Sequence, residues 1–159
     1  CSFTGVVPRK LPTSIGNFDP PNDVRVPSNF TVPAGNVYKF KIYADGFFLY
    51  ICNNTKWDFE EPRNVHFNRK EDINLYPFSG VGLVEVRDQK IYVRSAIPKY
   101  DTSALALEII GFTPSSDPLK DYRYEIMAVT NTTGEGAYSD ITYIILTETK
   151  GGVAPPDTE

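Results

Sequence analysis

The chain has 159 residues, the size of a single domain, and 41% of them are hydrophobic, including ten Phe, ten Tyr and one Trp, which excludes an intrinsically disordered protein. The 16 basic and 20 acidic residues give a net charge of −4 and are scattered singly, which disfavours nucleic-acid binding. A sequence pI near 5.1 predicts that copies of the protein repel one another least near pH 5, and no apolar run approaches the ~20 residues of a membrane-spanning helix.

The first 33 residues are rich in proline, which suits neither a helix nor a central strand. They hold six of the thirteen prolines in the chain: Pro8, Pro12, Pro20, Pro21, Pro27 and Pro33. We expect residues 1–33 to form an extended arm on the surface, residues 34–150 to form a β domain, and residues 151–159 to form a tail. Such an arm is able to cover a sheet edge of its own molecule or of a neighbour.

After the arm, two β-rich runs at residues 37–42 and 47–51 are separated by Ala44-Asp45-Gly46, which is a hairpin signal. Apolar residues then recur at period two from Trp57 to Phe67, with Pro62 interrupting the run. This pattern predicts a half-buried pair of strands.

The clearest hairpin signal joins the runs 83–87 and 91–94 through the turn Asp88-Gln89-Lys90. The segment 103–108 is able to begin as a short helix, but Gly111 and the prolines that follow prevent it from lengthening. A last pair of strands is expected at 122–129 and 138–147, joined by the turn-rich residues 131–136.

Eight to ten short strands with regular turn signals predict an all-β fold, either an antiparallel β-sandwich or a small sheet closed on itself. We favour a sandwich with Greek-key or jelly-roll-like connections. An uncovered edge strand in such a fold presents unpaired backbone groups that are able to pair with another molecule.

Several features indicate the secretory pathway. The chain begins at Cys1 without a methionine, as a protein does after removal of a leader, although a trimmed chain begins the same way. Three sequons offer N-glycosylation at Asn29, Asn53 and Asn131, all near predicted turns. Cys1 and Cys52 predict one disulfide, within the chain or between two chains; the alternative is two thiols, with Cys52 filling the core.

Patterns that carry catalysis are scarce. His66 is the only histidine, so a multi-histidine metal site is excluded and any histidine-dependent nucleophile must use this residue. No nucleophile elbow, C-x-x-C pair or phosphate-binding glycine loop occurs. We therefore predict no enzyme, no metal and no cofactor, and we expect the remaining acidic pairs to be solvated surface groups. Those pairs are Glu60 with Glu61, Glu71 with Asp72, and Asp117 with Asp121. Asp19, Asp23, Asp117 and Asp121 are also considered as ligands of a hard cation such as calcium, but none of them forms a D-x-[DN]-x-[DN]-G loop.

Aromatic residues offer two further hypotheses. Tyrosines in or near predicted loops are candidate contacts between molecules, because they provide a large amphipathic area at low entropic cost; equally, they are able to cap the core. Tyr50 and Trp57 are candidates to line a ligand or glycan groove, although aromatics at period two more often form a core. The candidate assembly contacts are Tyr76, Tyr100, Tyr122 and Tyr138.

Three segments carry distinctive motifs, in order, over residues 32–155. Val-Pro-Ala-Gly-Asn at 32–36 is followed by Gly46 and the strand Leu-Tyr-Ile-Cys at 49–52, and Trp-Asp-Phe stands at 57–59. The end of the chain reads Gly-Ala-Tyr-Ser-Asp-Ile-Thr-Tyr-Ile at 136–144 and Thr-Lys-Gly-Gly-Val-Ala-Pro at 149–155. These segments resemble a family of secreted bacterial and fungal domains of unknown function, with its V-P-A-G-N and terminal T-x-G-G-x-A-P motifs. A histidine- and tryptophan-bearing stretch of that family is eroded here at 78–85, and its final cysteine is missing.

A eukaryotic branch of that family includes a protein of the vacuolar crystals that zygomycete fungi use as gravity sensors. The resemblance therefore implies a non-enzymatic protein whose partner is itself, and which forms dense crystalline bodies in a fungal vacuole. The low pI suits an acidic vacuole, and a lattice needs several modest contacts in directions that do not close a ring. The alternatives are a secreted small-molecule or glycan-binding β-sandwich module and a hydrolase that uses His66.

Overall fold

The computed structural model describes residues 10–157, which form seven β-strands and one short 3₁₀ helix. All the strand pairs are antiparallel, and the strands lie in one sheet in the order in which they follow one another along the chain. The strands are β1 (Tyr43–Asn53), β2 (Lys56–Phe67), β3 (Gly82–Arg87), β4 (Lys90–Ser95), β5 (Ala104–Thr113), β6 (Tyr124–Thr133) and β7 (Tyr143–Leu146), and the 3₁₀ helix is Lys70–Leu75.

The prediction of an all-β, antiparallel fold is confirmed, and the finer prediction of a sandwich is not. Each strand is hydrogen-bonded to its neighbour in sequence, so the described strands form a single seven-stranded sheet. A Greek key requires a connection that passes over other strands, and this sheet order contains none among residues 10–157. The same residues contain no helix that is long and apolar enough to cross a membrane.

The hairpin of β1 and β2 turns ten residues later than predicted. Ala44, Asp45 and Gly46 lie inside β1, and the turn falls at Asn54-Thr55, where Asn54 adopts φ +62°. At Gly46 the two strands approach so closely that a Cβ atom would lie 2.0 Å from the carbonyl oxygen of Arg63. Glycine therefore allows β1 to continue through this position. The predicted turn at 44–46 is therefore wrong, because these residues allow a close approach of two strands and do not form a loop.

The two central predictions after β2 had opposite outcomes. The hairpin of β3 and β4 is confirmed, with Asp88 and Gln89 at φ +49° and +62° in its turn. The short helix expected at 103–108 is wrong, because Ala104–Thr113 form strand β5. Leu105 and Leu107 are buried in the core there, and packing decides over helix propensity.

The core combines the sheet with the segment that precedes it. Ile15 is 2% exposed and belongs to the buried cluster, and Phe30 is also buried. Asn17 forms a β-bridge with Lys41. An arm that only lies on the surface is therefore not confirmed for residues 10–33, and residues 1–9 lie outside the described part. The buried cluster is Ile15, Val81, Val93, Leu105, Leu107, Met127 and Tyr138.

The sheet is curled, so that its first strand meets the residues on either side of β6 and β7. The rings of Phe48 on β1 and Tyr122, just before β6, have centroids 4.5 Å apart. The hydroxyl of Tyr50 donates a hydrogen bond of 2.7 Å to the carbonyl of Gly152. These contacts hold the chain after β7 against the inner face of β1.

Candidate functional site

His66 lies in the core and not in a catalytic cleft. Its side chain is buried, its Nδ1 lies 3.1 Å from the hydroxyl of Tyr138, and burial lowers its pKa from 6.5 to about 4. Tyr138 is 2% exposed, and burial raises the pKa of its hydroxyl. The prediction that Tyr138 is an assembly contact is therefore wrong, because its ring is inaccessible to another molecule.

A buried carboxylate fixes the loop that carries Tyr138. Asp101 accepts hydrogen bonds from the backbone N–H of Ser103 at 2.9 Å and of Ala137 at 2.7 Å, and from the hydroxyl of Ser103 at 2.5 Å. The same hydroxyl accepts a bond of 3.0 Å from the backbone N–H of Tyr138. Both carboxylate oxygens of Asp101 thus accept hydrogen bonds that join the start of β5 to the loop before β7, and the role of Asp101 is structural.

Two of the acidic residues considered as catalytic or metal-binding candidates are engaged in structural contacts. Glu61 is bonded to Arg63. Asp121 accepts hydrogen bonds from Gly151 and Lys150, and these lower the pKa of its carboxyl group. Within residues 10–157, no group of three or more His, Cys, Asp or Glu side chains is placed to hold a metal ion.

Tyr50, one of the two aromatic residues expected to line a groove, packs against neighbouring rings, whereas Trp57 is not part of this cluster. Phe48 and Tyr50 each contact Phe59 edge-on with ring centroids 5.6 Å apart, and Phe48 also contacts Tyr122. Burial raises the pKa of Tyr122 to about 12, with a further contribution from Glu125. Phe59 is 47% exposed and the other three rings are half-buried, and no slot is left between the rings of Tyr50 and Phe59.

Two surface depressions among residues 10–157, of about 390 and 410 Å³, are further candidates for a ligand site. One lies beside the 3₁₀ helix at Lys70 and Glu71, and the other lies between β6 and the loop before β7. All their lining residues are exposed or half-buried. Neither depression therefore encloses a ligand as a binding pocket does.

The remaining predicted contact residues differ in accessibility. Tyr76 and Tyr100 are 61% and 56% exposed and remain candidates. Tyr122 is half-buried, and its hydroxyl donates a bond of 2.8 Å to Glu125. Asn29, Asn53 and Asn131 are all exposed, as glycan attachment requires.

Of the two predicted disulfide partners, Cys52 lies among the described residues and Cys1 does not. Cys52 lies near the end of β1 and is exposed, so the alternative that it fills the core is wrong. Its side chain follows those of Phe48 and Tyr50 along one face of β1, at the solvent end where the hairpin turns. Cys1 lies outside the described residues, and the disulfide remains a prediction.

The most distinctive surface feature is the outer face of β1. Phe47 is 59% exposed, Ile51 is 52% exposed, and Leu49 is half-buried between them. Side chains alternate between the faces of a strand, so these three form one apolar row. On β2, Arg63 and Glu61 lie opposite Phe47 and Leu49, and they form an ion pair. An apolar row therefore runs along the edge strand β1, and the Arg63–Glu61 ion pair lies next to it on β2.

Among residues 10–157, the backbone of β1 is left without a partner strand along the same edge. β1 pairs with β2 alone, and no described residue forms a backbone hydrogen bond with β1 on its other side. Sequence reasoning missed this edge because it placed a turn at residues 44–46, inside what is one strand. The signal was present: residues 46–53, Gly-Phe-Phe-Leu-Tyr-Ile-Cys-Asn, contain no charge and no proline.

Apolar exposure extends beyond β1. Sixteen large hydrophobic side chains among residues 10–157 are exposed, and they are spread over the surface, so that contacts in more than one direction are available. They include Phe18, Val37, Phe78, Phe112 and Leu119.

Comparisons of the chain with known protein families, with curated proteins and with solved structures found no match.

Proposed function

We propose that this protein is a non-enzymatic structural protein that functions by binding further copies of itself. The observation that carries the proposal is the open edge of β1 with its exposed row of Phe47, Leu49 and Ile51. An edge strand that is long, apolar and uncovered is a template for pairing with another chain, and soluble proteins usually protect such an edge with charge or proline.

Acidity favours this association. The net charge of −4 at pH 7 falls towards zero near the pI of 5.1, and electrostatic repulsion between copies falls with it. Tyr76 and Tyr100 are more than half exposed and offer further contacts away from β1. Several weak contacts in different directions are what a crystalline body needs, because contacts that close a ring stop growth.

The family resemblance supplies the proposed setting. We place the protein in the secretory pathway, with an acidic fungal vacuole as its destination and an extracellular location as the alternative. Dense crystalline bodies would form there and report gravity by sedimentation. A disulfide between molecules, through the exposed Cys52 or through Cys1, would make such bodies resistant to dilution and sensitive to reductant.

Light scattering from about pH 4.5 to about pH 8, with and without reductant, tests the proposal. We expect scattering to rise with protein concentration and to be strongest near pH 5. If scattering stays that of a monomer at about millimolar concentration under every one of these conditions, the protein does not self-associate and the proposal fails.

A ligand- or glycan-binding module is the second candidate. The observation in its favour is Trp57, whose indole Nε1 is buried without a hydrogen-bond partner among the described residues. A buried N–H that lacks a partner is costly, and a ligand that accepts its hydrogen bond would relieve the cost. A glycan array combined with a thermal-shift screen tests this candidate, because a ligand that binds only the folded state raises the melting temperature. No shift with any sugar would remove it.

A further inference from the structure

The two edges of the sheet are unequal. β1 is eleven residues long, and its only charged residue is Asp45. At the other edge, β7 has four residues, and the chain on both of its flanks is bonded to the N-terminal segment: the hydroxyls of Thr142 and Thr147 donate hydrogen bonds to Asn36 and Arg25. Within the described part of the chain, the long continuous edge available for pairing is therefore β1.

A second copy of this chain fits that edge because β1 is nearly self-complementary when it is reversed. An antiparallel pair of β1 strands centred on Leu49 places Leu49 opposite Leu49 of the second copy. The same register places Phe47 opposite Ile51, so the apolar row of each copy covers that of the other. It also places Asp45 opposite Asn53, whose side-chain amide donates one N–H to Asp58 at 3.2 Å and has a second N–H for the Asp45 carboxylate.

Neighbouring registers are worse. Moving the centre to Phe48 places the carboxylate of Asp45 opposite Ile51. Moving it to Tyr50 places Phe47 opposite the amide of Asn53. Centring the pair on Asp45 itself would bring two carboxylates together, which is unfavourable for directly opposite residues. The pattern of one acid, three apolar residues and one amide at positions 45, 47, 49, 51 and 53 thus selects a single centre.

From this geometry we propose, resting on the proposed function, that two copies associate through β1 in antiparallel register about a two-fold axis at Leu49. The sheet then runs continuously through both molecules, and the unpaired backbone groups of each β1 are satisfied by the other. Such an interface is isologous and closes on itself, so lattice growth uses the other surfaces of the resulting dimer.

Disulfide trapping tests the register. In a parent variant with Cys1→Ser and Cys52→Ser, Leu49→Cys places two thiols directly opposite each other, where the Cα atoms of an antiparallel pair lie about 4.5–5.5 Å apart, within disulfide range. We expect a covalent dimer on a non-reducing gel after mild oxidation. Ile51→Cys is the control: its two copies are displaced by four residues along the strands, roughly 13 Å, and we expect it to stay monomeric.

A charge substitution tests the edge without a disulfide. Ile51 and Ile110 are both 52% exposed, on β1 and β5 respectively. We expect Ile51→Lys to weaken the dimer at least about tenfold, because it buries an ammonium group against Phe47 of the second copy, and Ile110→Lys to weaken it less than about twofold. Thermal unfolding of each variant establishes that it is folded, and this comparison stands if Leu49→Cys does not fold.

The outcomes separate the two proposals. If the Cys1→Ser, Cys52→Ser parent self-associates by light scattering while Leu49→Cys forms no covalent dimer and both lysine variants behave alike, the β1 interface is wrong and self-association stands. If Ile51→Cys is trapped in place of Leu49→Cys, the register is wrong. If the unmodified protein stays monomeric, both proposals fail.

Discussion

Buried His66 links the stability of this protein to acidity. Because burial disfavours the charged imidazolium, the folded state holds its proton only below a pKa of about 4, whereas the unfolded chain binds one near 6.5. Between these values the unfolded state carries more protons, so the free energy of unfolding falls as the pH falls. The contribution is fully present above about pH 6.5 and is lost progressively down to about pH 4.

The size of the effect follows from the difference between the two pKa values. A difference of about 2.5 pH units corresponds to about 3 kcal/mol over the whole range, and about 2 kcal/mol of it is already lost at pH 5. This is a large share of the 5–15 kcal/mol that is typical of a folded domain. Self-association near pH 5 is therefore expected to involve a molecule that is less stable than at pH 7, and association offsets part of the loss.

Urea unfolding of His66→Gln against the unmodified protein, at pH 7, 5.5 and 4.5, measures this contribution. Gln does not titrate and is able to keep a hydrogen bond to the Tyr138 hydroxyl, so we expect its stability to be nearly independent of pH over this range. Tyr138→Phe is the matched control: it loses about 1 kcal/mol with the hydroxyl but keeps the histidine and the pH slope. Equal slopes for the unmodified protein and His66→Gln would refute the assignment of the slope to His66.

Three further changes follow from the contacts described above. Asp101→Ala removes the acceptor of three hydrogen bonds in the core, and we expect it to lower the free energy of unfolding in urea by about 3 kcal/mol. The control Asp140→Ala removes an exposed ion pair with Lys39 and should cost less than about 1 kcal/mol. Equal losses in the two variants would contradict this. Tyr50→Phe removes the hydroxyl bond to Gly152 and should make the chain after β7 more susceptible to a carboxypeptidase, with an unchanged digestion rate as the contrary result. Thr55→Ala destroys the sequon at Asn53, which lies in the proposed β1 interface, so in a glycosylating host it should strengthen association; weaker association would count against the interface.

The strands with strong local signals were predictable. Residues 83–94 combine two alternating runs with a turn sequence, and they form β3 and β4 with a turn at Asp88 and Gln89. The absence of a multi-histidine metal site also followed directly from the single histidine. The order of the strands in the sheet did not follow, because local patterns specify hairpins and leave the packing of one hairpin on another undetermined.

The predictions that were wrong concern residues whose role is set by contacts distant in sequence. Tyr138 stands among turn residues in the sequence, but Asp101, thirty-seven positions earlier, and Ser103 hold its loop against the core. Gly46 indicated a turn by composition, whereas it allows β2 to approach β1 closely. The open edge of β1 required knowledge of which strand has only one neighbour, and sequence periodicity does not contain that information.

Sedimentation velocity of the unmodified full-length protein at pH 5, over concentrations from about micromolar to about millimolar, tests the central claim most directly. We expect the weight-average mass to rise from the 17.8 kDa of a single chain to at least that of a dimer, and Ile51→Lys to suppress the rise. A mass that remains at 17.8 kDa at every concentration would contradict it.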